Sequence, residues 1–122
     1  MWFCETQGRN VASLRGRVPD PQAELHPDAA RARGIEDGDW ISLQTPHGAI
    51  RARAKLTTAI DPQVVCGQHG WWQACPELDL PGYPPLGPGS ANLNAVLGQR
   101  PSDPISGSSP LRASVCQVTL LG

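Results

Sequence analysis

The 122-residue sequence predicts a mainly β domain with one or two short helices and long loops in its second half, on three observations. Polar and apolar residues alternate with period two at Gln22-Ala23-Glu24-Leu25, at residues 40–44 and at residues 49–57, the mark of half-buried strands. The tetrapeptide Thr45-Pro46-His47-Gly48 between the last two stretches is a tight-turn signal, so residues 40–57 read as a β-hairpin. Gly and Pro, at 13 each, stand well above ordinary usage and crowd the second half.

The first strand, over Gln22 to Leu25, leads into His26-Pro27-Asp28, which opens a helix. Proline suits the first helical position, where its missing N–H costs nothing, and Asp28 faces the positive helix end. The helix is expected to run through Arg33 and stop at Gly34, a residue free to take the left-handed cap conformation. Ile35-Glu36-Asp37-Gly38-Asp39 then turns into the hairpin. On its second strand Arg51 and Arg53 alternate with small or apolar residues and read as a solvated face. Val64-Val65-Cys66 reads as a short buried strand, and residues 113–120 as the last one. Between them lie irregular loops holding Gly67-Gln68-His69-Gly70-Trp71-Trp72, the Pro/Gly run 81–89, Asn92-Leu93-Asn94 and Asp103-Pro104-Ile105-Ser106-Gly107. Long loops on a small scaffold are where function usually sits.

Length allows a single domain spanning residues 1–122. A net charge of −1 argues against a general nucleic-acid binder, which carries a strong basic excess. No apolar run approaches the roughly 20 residues of a membrane span, and Met1-Trp2-Phe3-Cys4-Glu5 lacks the basic start of a secretory signal. The expectation is a cytoplasmic protein with no direct membrane contact. Cys4, Cys66, Cys75 and Cys116 form no C-x-x-C pair and read as reduced thiols.

Several site chemistries are excluded or left weak. Cys66, His69 and Cys75, with Cys4 or Cys116, match no paired zinc knuckle, so neither a structural nor a catalytic metal is expected. No GxSxG elbow, Walker loop or GxGxxG fingerprint occurs, and Glu36, Asp37 and Asp39 read as a solvated turn rather than a catalytic carboxylate pair. Gln68, His69, Asn92 and Asn94 are neutral polar groups in Gly-rich loops, and such groups suit a flat, many-heteroatom ligand such as a pterin or a guanine. The same asparagines are equally at home in turn chemistry. Trp71-Trp72 reads either as a stacking platform or as core plus rim.

Taken in order, several stretches carry a family resemblance. They are Gln7-Gly8-Arg9-Asn10-Val11-Ala12-Ser13-Leu14-Arg15, Glu24-Leu25-His26-Pro27-Asp28-Ala29-Ala30, Gly34-Ile35-Glu36-Asp37-Gly38-Asp39-Trp40, and Thr45-Pro46-His47-Gly48 with Arg51-Ala52-Arg53-Ala54. His69-Gly70-Trp71-Trp72, Asn92-x-Asn94 and Asp103-Pro104-Ile105-Ser106-Gly107 complete the set. Together they resemble the C-terminal molybdopterin-dinucleotide-binding domain of the dimethyl sulfoxide reductase family, over almost the whole chain. Gln68-x-x-Trp71-Trp72 with Ala74-Cys75 and Glu77-Leu78 leans toward the formate dehydrogenase branch.

The resemblance implies a six-stranded double-psi β-barrel that closes over a bis(molybdopterin guanine dinucleotide) cofactor carrying molybdenum or tungsten. It implies no metal ligand and no catalytic residue in this chain, because the ligand lies in another domain. Trp2, Phe3, Cys4, Glu5 and Thr6 match the end of the first contacting loop. His69, Gly70 and Trp71 match the loop facing the pterin, Asn94 with Asn92 matches the asparagine on the pterin edge, and Arg112 lies near a position where a basic residue reaches the cofactor. Family domains begin with a strand ending in Thr-Gly, and this chain starts inside that region. A barrel lacking its first strand is therefore expected, with a domain truncated at its N-terminus relative to the family. Three origins fit: a truncated reading frame, a separately encoded subunit, or an excised domain.

The expected partner is the rest of the oxidoreductase catalytic subunit or a separate large subunit, which could carry both to the periplasm. An unpaired barrel edge also predicts a homodimer. The chain alone should be a cofactor-binding module without activity. The alternative is a small double-psi-barrel interaction module that has lost cofactor binding.

Overall fold

The computed structural model describes residues 8–98, 103–108 and 114–122. Five strands form one mixed sheet: β1 (Gln22–Leu25), β2 (Trp40–Thr45), β3 (Gly48–Leu56), β4 (Val65–Gly67) and β5 (Gln117–Leu120), in the order β4-β1-β3-β2-β5. β1 runs parallel to β3, and the other pairings are antiparallel. Two short helices, α1 (Ala12–Arg15) and α2 (Pro27–Arg31), and single 3₁₀ turns at Pro76–Leu78 and Leu93–Val96 complete the described elements.

The hairpin forms as its turn chemistry demands. Thr45 pairs with Gly48 across Pro46-His47, and the Thr45 hydroxyl accepts from His47 N at 3.2 Å. That register carries through to Trp40 opposite Arg53. α2 opens on His26, whose Nδ1 accepts from Asp28 N at 3.2 Å. It closes at Gly34, which takes φ +65° while Ile35 N reaches back to the Ala30 carbonyl at 3.0 Å. This is the Schellman arrangement, and it seals the buried Ile35 against the helix end. The helix ends two residues short of Arg33, because residues 32–34 are already in the closing turn.

Alternation then builds the core. Ala23 and Leu25 of β1, Ile41 and Leu43 of β2, Ile50, Ala52 and Ala54 of β3 and Val118 of β5 all point to one face. Ala30, Ile35 and Val96 cover it. The opposite face is not the solvated one expected of Arg51 and Arg53. Both are half-buried, because their guanidinium groups lie on the Trp40 ring, 3.8 and 4.3 Å from its centroid.

Two further expectations meet the sheet. The mainly β class holds, but the described strands do not close into a barrel: β4 and β5 are both edges. At three and four residues they offer few free backbone groups to a second copy, so the open edge lends no support to a homodimer. The last strand is shorter than residues 113–120, beginning at Gln117, and residue 113 lies outside the described residues. Among the described residues no helix is long and apolar enough to cross a membrane.

The packing makes a direct prediction. Ile41 is fully buried at the centre of the sheet, whereas Gln44 on the same strand is exposed. Ile41→Ala should cost about 2–5 kcal/mol in urea unfolding, and Gln44→Ala less than about 0.5 kcal/mol. Equal costs would mean that this strand does not face the core.

Candidate functional site

β4 delivers the His69 loop. Gln68, just beyond it, is buried and doubly tied to Gln22: its Oε1 accepts from Gln22 N at 2.8 Å, and its N–H donates to the Gln22 carbonyl at 3.2 Å. His69 follows half-buried, and Gly70 turns the chain with φ +73°. Arg9 donates through Nη1 to the Gly70 carbonyl and lays its guanidinium 5.3 Å from the Trp72 ring centroid.

Trp71 is wholly buried, and its indole N–H donates to the Val18 carbonyl at 2.7 Å. Arg15 caps the same ring at 5.3 Å and donates to the Gln73 carbonyl at 3.0 Å. Burial lowers the basicity of this guanidinium below its ordinary value. Of the two readings of Trp71-Trp72, core plus rim describes the structure. The Trp71 indole is sealed in, so position 71 offers a ligand no ring to stack on. α1 exists to hold these contacts; its role was not legible in the sequence, because nothing local marks Arg15 as the partner of a tryptophan so far along the chain.

The asparagine loop arrives from the other side. Asn92 caps the 3₁₀ turn: its Oδ1 accepts from Asn94 N, and its own N–H donates to the Ser90 hydroxyl, both at 3.1 Å. This is the turn chemistry expected of it. Asn94 is exposed and its side-chain amide has no hydrogen-bond partner among the described residues. The turn is anchored on the hairpin tip, where the Thr45 hydroxyl donates to the Val96 carbonyl at 2.9 Å.

The two loops meet. A Cβ added to Gly67 would stand 2.8 Å from a methyl of Leu93, so β4 touches the asparagine turn two residues before His69 and one before Asn94. The structure thus brings Gly67, at the start of the His69 loop, against Leu93, between Asn92 and Asn94. Trp2, Phe3, Cys4, Glu5, Thr6 and Arg112 lie outside the described residues. Asp103 is a turn residue: its Oδ1 accepts from Ile105 N, Ser106 N and the Ser106 hydroxyl at 2.7–3.1 Å, which holds its carboxyl below the usual range. Among the described residues no group of three or more His, Cys, Asp or Glu could hold a metal ion, and Cys66, Cys75 and Cys116 are free thiols. Burial pushes the Cys116 thiol up.

A family model, the molydopterin dinucleotide binding domain, matches residues 1–115. The chain belongs to that family. It is 32% identical over 111 residues to a dopamine dehydroxylase of Eggerthella lenta, covering 91% of this chain and 10% of that protein. It is 37% identical over 81 residues to an acetylene hydratase of Syntrophotalea acetylenica, covering 66% of this chain and 10% of that protein. The acetylene hydratase structure from Pelobacter acetylenicus superposes with a TM-score of 0.73 at 27% identity, over 96% of this chain and 16% of that one. The chain therefore spans about a tenth of the length of the curated relatives it matches, in which this domain is one part of a larger polypeptide. Membership in this family of molybdopterin oxidoreductase domains implies molybdopterin guanine dinucleotide, with either molybdenum or tungsten, as the cofactor.

A concavity lies on the outer face of the hairpin, away from these loops. Trp40, Ser42, Arg51, Arg53, Pro88 and Gly89 line much of a cleft of about 590 Å³. Asp20 braces its wall, accepting from Arg53 Nε at 3.2 Å and from the Tyr83 hydroxyl. The Tyr83 ring meets Trp40 edge-on, centroids 5.9 Å apart. The sequence held one usable signal for this cluster, the hairpin register. A two-residue turn at Pro46-His47 sets Trp40 against Arg53 and puts Arg51 on the same face.

Two measurements follow from this geometry. Gly67→Ala must shift the tip of the Leu93 side chain, which sits in the asparagine turn; because that tip can rotate, the substitution should cost at or below the low end of the about 1–3 kcal/mol of overpacking. It should lower the urea midpoint and move the Asn92 and Asn94 amide resonances, and unchanged resonances would mean the loops are not in contact. Tyr83 is the chain's single tyrosine, and burial, then its bond to Asp20, push its hydroxyl from 10.0 up to about 12. Since the folded form keeps this proton, the associated stability is complete below pH 10 and is lost as pH rises through about 12. Ultraviolet titration should show one late tyrosine transition in the wild type and an earlier one in Asp20→Asn.

Proposed function

We propose that this chain holds molybdopterin guanine dinucleotide through the paired loops at His69-Gly70-Trp71 and Asn92-Leu93-Asn94. Phe3, Cys4, Glu5, Thr6 and Arg112 complete its share of the cofactor contacts. The observation that supports the reading is the packing of Leu93 on Gly67, which sets the turn holding the exposed, unpartnered Asn94 amide against the strand that leads into His69.

The donor set fits the group. Asn94 offers a donor and an acceptor at one amide, and His69 offers two ring nitrogens. A pterin or guanine edge presents the complementary row of donors and acceptors. In this reading the metal's own ligand lies in another domain, as the family resemblance implies, so the chain's share of the work is to bind and orient. When bound, the cofactor supplies the redox chemistry through its metal. Gln68 keeps the loop from yielding, because both of its bonds to Gln22 would break if His69 moved.

In the same reading the five-stranded sheet is the larger part of a six-stranded double-psi barrel. The domain works within a large molybdenum or tungsten oxidoreductase of formate dehydrogenase-like type, and is inert by itself.

The test is a titration of the ¹⁵N-labelled chain with extracted molybdopterin guanine dinucleotide, read by amide shifts. Saturable shifts should cluster at residues 69–71 and 92–94 and weaken about tenfold or more in Asn94→Ala, the loss of one good amide contact being on the order of 1.4 kcal/mol. No shift at millimolar cofactor, or shifts elsewhere only, would refute this assignment of the binding loops.

A further inference from the structure

The cofactor loops leave the outer face of the hairpin unexplained, and that face holds an imbalance of charge partners. Arg51 and Arg53 stand side by side over Trp40. Arg53 is provided for: its Nε donates to Asp20 and its Nη1 to the Gly38 carbonyl at 2.9 Å. Asp20 takes Arg53 on one oxygen and the Tyr83 hydroxyl on the other, and forms no ion pair with Arg51. Asp39, nearby on the cleft wall, accepts from Glu36 N at 2.8 Å and forms no ion pair with Arg51.

Arg51 is left over. Its guanidinium stacks 3.8 Å from the Trp40 centroid and 5.8 Å from that of Tyr83, and it has no acceptor among the described residues. Its Nε is buried without a hydrogen-bond partner. Arg9 and Arg15 share this unpartnered Nε but donate elsewhere through their terminal nitrogens, whereas the Arg51 side chain donates to nothing among the described residues and lines the cleft. Two aromatic rings have already fixed this fork, so little side-chain freedom remains to be lost on binding.

We propose that the cleft around Arg51 is a binding site for a carboxylate monoanion carried on an apolar group. A guanidinium matches a carboxylate through two parallel N–H···O bonds. Asp39 on the same wall repels a second negative charge, which disfavours a phosphate dianion. Ala49 and Pro88 give the remainder of the ligand an apolar wall. The source is either a free small carboxylic acid or an acidic side chain of a polypeptide, and the chemistry at Arg51 is the same. This site shares no residue with the proposed cofactor loops, so either assignment can fail alone.

The experiment is a titration of the full chain at pH 7 and constant ionic strength, following the Trp40 indole N–H and the Arg51 Nε–H by NMR. Three probes are used: sodium benzoate, a blocked glutamyl tripeptide and inorganic phosphate. Saturable shifts with benzoate or the peptide, at concentrations about tenfold below any response to phosphate, support the site, and the tighter of the two identifies the source. Arg51→Met should abolish the shifts with the rest of the spectrum intact. Arg51→Lys, which keeps the charge without the fork, should weaken them about tenfold and serves if the methionine variant does not fold. Equal responses to benzoate, phosphate and chloride would reduce the effect to charge screening and overturn the proposal. So would silence toward both carboxylates, or binding that survives in Arg51→Lys at full strength.

Discussion

Alternation along β3 is the constraint on which both faces of this domain depend. The strand lies at the centre of the sheet, between β1 and β2, so none of its residues can shift register without disturbing both neighbours. Ile50, Ala52 and Ala54 go to the core, and two of these three are small. Their size lets the 3₁₀ turn that ends in Val96 settle closely on the sheet, and that turn holds Asn94 and is capped by Asn92. Arg51 and Arg53 go to the other face, where Trp40 receives them. The main chain of Arg51 also donates to the buried Ser90 at 2.8 Å, and the Ser90 hydroxyl in turn accepts from Asn92. One strand thus places the core, the outer cleft and the asparagine turn together.

Stacked cations do on the loops what hydrogen-bond ladders do in the sheet. The segment from His69 to Gln73 has no strand partners, and Arg9 and Arg15 hold it by capping Trp72 and Trp71 while donating to the carbonyls of Gly70 and Gln73. A guanidinium serves here because its flat face can sit on an indole while its edge still donates. The arrangement has a cost, since the Nε atoms of Arg9 and Arg15 are both buried without a partner. A loop held this way keeps its backbone fixed without a regular element.

Local chemistry was readable wherever neighbours in sequence decide the outcome. The hairpin, the proline-started helix, its closure at Gly34 and the asparagine cap are all set within a few residues, and the structure forms each of them within two residues of the expected bounds. The ordered motifs also carried the family, because their spacing is a property of the chain. What failed was the solvation of Arg51 and Arg53. Period two says only that they share a face; whether water or Trp40 covers that face depends on the distant loop that brings Tyr83. The fate of Trp71 was undecidable for the same reason, since Arg15 and the Val18 carbonyl that bury it come from the other end of the chain.

The sequence by itself therefore determined the β-rich class, the individual strands and turns, and membership in the molydopterin dinucleotide binding domain family. Only the tertiary structure decided that Gly67 and Leu93 bring the histidine and asparagine loops together, that the described strands form an open sheet, and that Arg51 lacks an acceptor. The division has a physical reason. Turn preferences and alternation are energies of adjacent residues, written along the chain. Close approach, burial and the pairing of charges are energies between residues far apart in it, and they acquire values only once the fold has set the distances.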